Sequence, residues 1–183
     1  MIYFNNLHIQ ESWILILVFL VVCHLPMLLV GKKIKRLVNF SFASKKVKVQ
    51  SVLVMIIFYL LLIIALFYPI TKSLTLSFIG YFLYVLGALG ILISYLNYFT
   101  TANNELITKG LYQVSRNPIY VFTFIMMIGI SVLCQSYVIA AMLILYFIIQ
   151  HPIIKEEEKF CIDAYGDDYI KYYTQIRRYL GRK

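Results

Sequence analysis

Two short stretches carry residue types that do chemistry in an otherwise apolar chain. The first is Arg116-Asn117-Pro118 with Tyr120 behind it, inside KGLYQVSRNPIYVF at residues 109–122. Proline fixes its own φ and pushes Asn117 away from the helical region, so a helix is expected to begin near Pro118. The first N–H groups of such a helix have no partner within it and can bind an anionic or polar group. Arg116 beside them adds a planar fork for a carboxylate or phosphate. The second stretch is Glu157-Glu158, in HPIIKEEEKFCIDAYGDDYIKYYTQIRRYLG. Neighbouring residues on a helix point about 100° apart, so at least one carboxylate faces inward. Taken singly, each stretch has a plainer reading: a snorkelling arginine at an ordinary proline start, and a solvated acidic helix with i,i+4 charge pairs. Their conjunction at one face of the molecule is what points to a site.

The elements that must position them are hydrophobic. The chain has 183 residues, 62% of them apolar, and a mean hydropathy of +0.82. A globular core of this size cannot hide so much apolar surface, which implies an all-α, polytopic membrane protein. Five apolar runs stand out, at 13–30, 51–70, 76–99, 119–134 and 136–150. The second and third are long enough to cross a bilayer with some tilt. The last two are shorter and are separated by Gln135-Ser136 alone, which predicts a tight helical hairpin. The fifth run is expected to end near Pro152, with helix over 155–165, a stop at Gly166 and a new start at Asp167-Asp168. Tyr169, Tyr172, Tyr173 and Ile176 then form an amphipathic stripe that could lie on the membrane surface. Residues 1–100 read as a three-span scaffold, and 101–183 as the chemistry-bearing part.

Charge sets the orientation. Sixteen of the 17 basic residues fall on alternate connections of a five-span arrangement, at 31–50, at 100–118 and after 150; Lys72 alone falls on the other side. The positive-inside rule puts the N-terminus outside and the C-terminus in the cytosol. The net charge of +9 is therefore explained by topology and anionic lipid, and not by nucleic acid. Seven of the eight acids lie at or after Glu105. The three cysteines and three histidines are scattered, so neither a disulfide framework nor a metal site is expected. The first apolar run is long and followed by basic residues, unlike a cleaved signal peptide.

The stretches ELITKGLYQVSRNPIY and EEEKFCIDAYGDDYIKYYTQIRR, either side of the short hairpin, resemble the isoprenylcysteine carboxyl methyltransferase family and its phospholipid methyltransferase relatives. The resemblance covers about residues 104–178. It implies an enzyme that binds S-adenosylmethionine from the cytosol and takes a lipophilic acceptor from the bilayer. By that likeness Asn104, Gly110, Tyr112, Arg116, Asn117, Pro118, Tyr120, Glu157 and Glu158 hold the cofactor, while Tyr169, Tyr172 and Arg178 face the acceptor. Glu156 falls outside the family's Glu pair. Arg178, Glu157 and Glu158 are the candidate catalytic groups. A carboxylate acceptor needs no base and suits a grip by Arg178; an ammonium acceptor must first lose a proton, to Glu157 or Glu158. Carboxylate O-methylation is the leading expectation, and ethanolamine headgroup N-methylation the alternative. Asn104 and Asn117 stand where relatives often carry His, and Phe122 where a Gly is common, which is expected to narrow the pocket. A sterol-type membrane reductase using NADPH shares an R-x-P-x-Y-like turn, and a non-enzymatic membrane protein is the third reading.

Overall fold

The computed structural model describes residues 3–4, 7–29, 43–102 and 105–183. Six α-helices follow in order: α1 (Trp13–Leu29), α2 (Lys45–Ala65), α3 (Leu74–Phe99), α4 (Pro118–Cys134), α5 (Tyr137–Tyr165) and α6 (Asp167–Gln175). A 3-10 turn spans Gly110–Gln113, and two-residue strands Tyr3–Phe4 and Leu7–His8 pair antiparallel ahead of α1. The protein is thus an all-helical polytopic membrane protein. Helices α2, α3 and α5 are long and apolar enough to cross a membrane, and α1 and α4 are shorter apolar helices.

Local chemistry places the ends. Ser44, Ser73 and Ser136 each accept a hydrogen bond from the backbone N–H three residues on, capping α2, α3 and α5. The Ser44 cap starts α2 at Lys45, six residues before the apolar run, so its lysines form a helical first turn. The same helix stops at Ala65 rather than 70, because Pro69 keeps the preceding residue out of helix. Gln135 takes a left-handed conformation (φ 48°, ψ 36°) to close α4, and α5 begins two residues later. That is the expected tight hairpin.

Helix α5 departs from expectation. It does not end near Pro152 but runs unbroken for 29 residues. An interior proline costs about 3 kcal/mol. Ile153, Ile154 and Glu158 beyond it are all buried, and their packing offsets that loss. Twenty-nine residues span about 44 Å, more than the ~30 Å apolar thickness of a bilayer. The apolar stretch ends at Ile154, so the charged part at 155–165 lies beyond it.

Helices α3 and α4 approach closely because the sequence supplies glycines along the seam. A Cβ on Gly87 would lie 2.5 Å from the Met126 nitrogen, and one on Gly129 would lie 2.7 Å from the Tyr84 nitrogen. Small residues that let backbones meet are what holds helices together in lipid, where apolar burial alone gives no preference for helix over lipid. Phe122 occupies the notch at Gly90, where a Cβ would fall 2.0 Å from its ring. Its ring packs against α3. The core joins Phe19 of α1, Leu61 of α2, Ile91 of α3, Met126, Met127, Ile130 and Leu133 of α4 and Ile139 of α5. Tyr84 and Tyr95 on α3 donate to the carbonyls of Leu15 (2.5 Å) and Cys23 (3.0 Å) on α1.

Connections collect at two opposite ends. Gln10 N–H reaches the Leu66 carbonyl (2.9 Å) and Thr71 N–H the Leu133 carbonyl (2.7 Å) at one end. The turn at 110–117 and the segment after α6 meet at the other, where Arg116 N–H binds the Arg177 carbonyl (3.1 Å) and Gly181 N–H the Val114 carbonyl (2.7 Å).

Candidate functional site

The turn before α4 is built on Gly110. Its φ of +57° favours glycine, and a Cβ there would lie 2.2 Å from the Asn97 Nδ2 atom of α3. That Nδ2 is buried and has no hydrogen-bond partner among the described residues. Tyr112 in the turn is buried, and its carbonyl accepts from the Tyr172 hydroxyl (2.6 Å). Pro118 opens α4 and Asn117 precedes it with an extended φ of −131°, as the sequence required. No side chain caps this helix start; the Asn117 N–H binds the Ser115 hydroxyl instead (3.0 Å).

Glu158 is the hub. Arg116 grips it with a two-pronged hold, Nε to Oε1 at 3.0 Å and Nη2 to Oε2 at 3.1 Å. Arg178 grips it too, Nε and Nη2 to Oε2 at 3.0 and 2.8 Å. Asn117 Nδ2 adds a fifth bond to Oε1 (2.9 Å). Burial alone would raise the Glu158 carboxyl, but hydrogen bonds from Arg178 and Arg116 outweigh it and hold the group below its ordinary range. The same bonds raise Arg178. Arg116 is spent in this arrangement. Its Nη1 donates to the carbonyls of Tyr173 (3.0 Å) and Ile176 (2.6 Å), and its Cζ stacks 4.0 Å from the Tyr173 ring. Arg116 and Glu158 are both buried.

Glu157, one residue earlier, is in a different situation. It is half-buried, and its carboxylate accepts from the Tyr120 hydroxyl at 2.7 and 3.0 Å. Burial raises it to about 7, with the Glu158 charge adding and the Tyr120 bond opposing. The two adjacent glutamates are therefore pushed apart, one fixed as an anion and one poised near neutrality.

The segment after α6 completes the arrangement. The Arg178 carbonyl accepts from Ser115 Oγ and Asn117 Nδ2, both at 3.3 Å. Tyr179 stacks near Phe147 of α5 (centroids 5.2 Å), which stacks near Phe124 of α4 (4.9 Å), and the Tyr179 hydroxyl bonds the Nδ1 of His151.

The expected site residues thus divide. Arg116, Asn117, Glu158 and Arg178 converge in one cluster, and Tyr120 and Glu157 form a second beside it. Arg116 was expected to present a free fork to a cofactor carboxylate; its donors instead hold Glu158 and the last turn of α6. Tyr169, Tyr172, Tyr173 and Ile176 were expected as a stripe on the membrane surface, with Tyr169 and Tyr172 facing an acceptor. Tyr169, Tyr172 and Ile176 pack inward against Leu106, Cys161, Ile162 and Tyr165, because α6 folds back under the end of α5 at Gly166 (φ 55°) and needs an apolar face there. Gly110 and Tyr112 shape the turn, and Asn104 lies outside the described residues. Glu156 is half-buried next to the pair. Sequence reasoning did not single out Asn97, His151 or Tyr179. A polar Asn at the end of an apolar span was the available signal for the first.

The polytopic bundle carries this Arg–Glu–Arg cluster at its charged end. The chain belongs to the phospholipid methyltransferase family, whose model matches residues 71–168. Curated relatives include the cobalt-zinc-cadmium resistance protein CzcN of Cupriavidus metallidurans, 32% identical over 66 residues (36% of this chain, 31% of the relative). The nickel-cobalt-cadmium resistance protein NccN of Alcaligenes xylosoxydans xylosoxydans is 34% identical over 56 residues (31% and 26%). The chain spans less than a third of either relative's length. No solved structure matches significantly.

Proposed function

We propose that the protein transfers a methyl group from S-adenosylmethionine to the nitrogen of a lipophilic amine drawn from the bilayer. The observation that carries this reading is the contrast between the two glutamates. Glu157 sits near neutrality and has the Tyr120 hydroxyl as partner, which suits a group that takes a proton from an ammonium. Carboxylate O-methylation, the leading expectation from the sequence, relied on Arg178 to hold a carboxylate. Two of the nitrogens of Arg178 are committed to Glu158, which weighs against that role.

The residues present fit the cofactor. The uncapped start of α4 offers N–H groups to its carboxylate, and the orphaned Asn97 Nδ2 beside Gly110 offers a further donor. Glu157 offers negative charge to its cationic end. When bound, the cofactor supplies an activated methyl group, which passes to the acceptor nitrogen as the carbon–sulfur bond breaks with its electrons to sulfur. Glu157 holds the proton lost by the acceptor, Tyr120 orients that carboxylate, and the Glu158 cluster fixes the turn and the closing segment around them. The cofactor is cytosolic, so this reading goes with a cytosolic C-terminus and an outside N-terminus. Residues 1–100 act as scaffold except where Asn97 reaches the turn. The metal-resistance names of the two relatives are not carried over to this chain.

The test is methyl transfer by the purified full chain in detergent, offered an ethanolamine phospholipid or farnesylcysteine. N-methylated product is expected, and Glu157→Gln should slow it by roughly a hundredfold, the scale of a lost general base. Formation of the farnesylcysteine methyl ester alone would overturn the amine reading. Binding of NADPH in place of S-adenosylmethionine would move the protein to the reductases.

A further inference from the structure

His151 is the side chain at this end of the bundle that the proposed reaction leaves unused. It lies on α5 seven residues before Glu158, which is two turns along the same face. Its Nδ1 is engaged by the Tyr179 hydroxyl. We assign the hydroxyl proton to the bond with Nδ1, which leaves the ring proton on Nε2. Nε2 has no partner among the described residues and is not sealed in the core. An N–H donor is thus held in a fixed orientation and left open. Around it, Lys155 stands one turn further along α5 and is exposed, and Nη1 of Arg178 has no partner among the described residues. On the other side, the ring series Tyr179–Phe147–Phe124 runs from this donor back along α5 and α4 toward the apolar part of both helices. Donors at the membrane boundary joined to a half-buried aromatic wall suit a molecule with a greasy chain and an anionic oxygen.

We propose that His151, held by Tyr179 and flanked by Lys155 and Arg178, binds an anionic oxygen, phosphodiester or carboxylate, of the membrane acceptor, whose chain lies along Phe147 and Phe124. This rests on the methyltransferase reading for the word acceptor, though the site itself does not need it. In this arrangement His151 selects among amines. An amine lipid with a neighbouring anion is preferred over one without, and Glu157 deals with the reacting end.

The experiment is equilibrium binding to the detergent-solubilised full chain of three probes: a short-chain ethanolamine phospholipid, farnesylcysteine and dodecylamine. The wild type should bind at least one anion-bearing probe about tenfold or more tighter than dodecylamine, and which one identifies the source of the anion. His151→Phe keeps a ring and removes the donor, and should erase that preference. His151→Gln restores an N–H near the Nε2 position and should recover most of it. Tyr179→Phe keeps the stack on Phe147, frees Nδ1 and should weaken the preference part-way. Each variant is first matched to the wild type by its unfolding midpoint; if His151→Phe does not fold, Tyr179→Phe carries the test. Equal binding of all three probes to the wild type, or a preference that survives both His151→Phe and Tyr179→Phe, overturns the proposal. The two readings part cleanly. A preference that depends on His151 without any methyl transfer sinks the methyltransferase reading alone. Methyl transfer with an acceptor KM untouched by His151→Phe sinks this one alone.

Discussion

Arg116 shows how a residue can be marked by the sequence while its partner within the fold is not. Its position before Pro118 signals a polar function in an apolar setting, and the sequence marks it plainly. What the sequence could not supply is the pairing across 42 positions with Glu158, because a bidentate contact depends on how α5 and the turn dock. Arg116→Lys keeps the charge but loses the fork. Three ammonium protons cannot replace the four bonds that Arg116 makes to Glu158 and to the Tyr173 and Ile176 carbonyls. Breaking part of a buried, hydrogen-bonded pair costs on the order of 3 kcal/mol. The expected outcome is a lower unfolding midpoint and faster proteolysis after residue 175; an unchanged cleavage pattern would remove Arg116 from the clamp.

Glu157 carries the pH dependence at the same scale. Its carboxyl is raised to about 7, above its ordinary value, chiefly by burial. A carboxyl raised in the folded state contributes stability that is fully present below its ordinary range and is lost as pH rises through about 7. Turnover runs the other way, since the ionised form takes the proton. The rate–pH profile should therefore rise through about 7 while stability falls, and Glu157→Gln should flatten both. Opposite slopes in one protein, removed by one substitution, are the readout. Glu158 is held low and contributes its stability above the ordinary carboxyl range, losing it only in acid.

At the scale of elements, the α3–α4 seam is governed by glycines whose purpose is invisible in composition. The apolar runs, the hairpin at Gln135-Ser136 and the break at Gly166 were legible because proline, glycine and polarity punctuate them. Continuation of α5 through Pro152 was not legible, since tertiary burial beyond the proline outweighs its local cost. Nor was the inward turn of Tyr169 and Tyr172: an amphipathic stripe states that a face is covered, and not by what. The Phe122–Gly90 contact makes a sharp test. Gly90→Ala alone should destabilise by about 1–3 kcal/mol, because a Cβ meets the Phe122 ring. Phe122→Leu removes that ring, so the double variant should recover most of the loss. Additive losses in the unfolding midpoints would show that the two do not meet.

For the whole molecule, the hydrogen bonds at residues 10, 66, 71 and 133 gather one set of connections, and those at 116, 177 and 181 the other. Among the described basic residues, Lys72 adjoins the first set, and Arg116 and Arg177 belong to the second. Single cysteines at positions 48 and 183 should label from one side of sealed vesicles and one at 72 from the other. Position 48 labelling together with 72 would undo the arrangement on which a cytosolic cofactor depends.

The placement of 176–183 has a further meaning for how the protein is made. All five apolar helices and both glutamates leave the ribosome before Arg178 does. A chain stopped at residue 175 would be an inserted bundle with Arg116 and Glu158 facing each other but with Ser115, Val114 and His151 lacking the partners they find in the closing segment. Closure of the Glu158 cluster by Arg178 therefore comes after all five apolar helices have been made. At that earlier stage the charged turn stands open, and residues 176–183 then seal it.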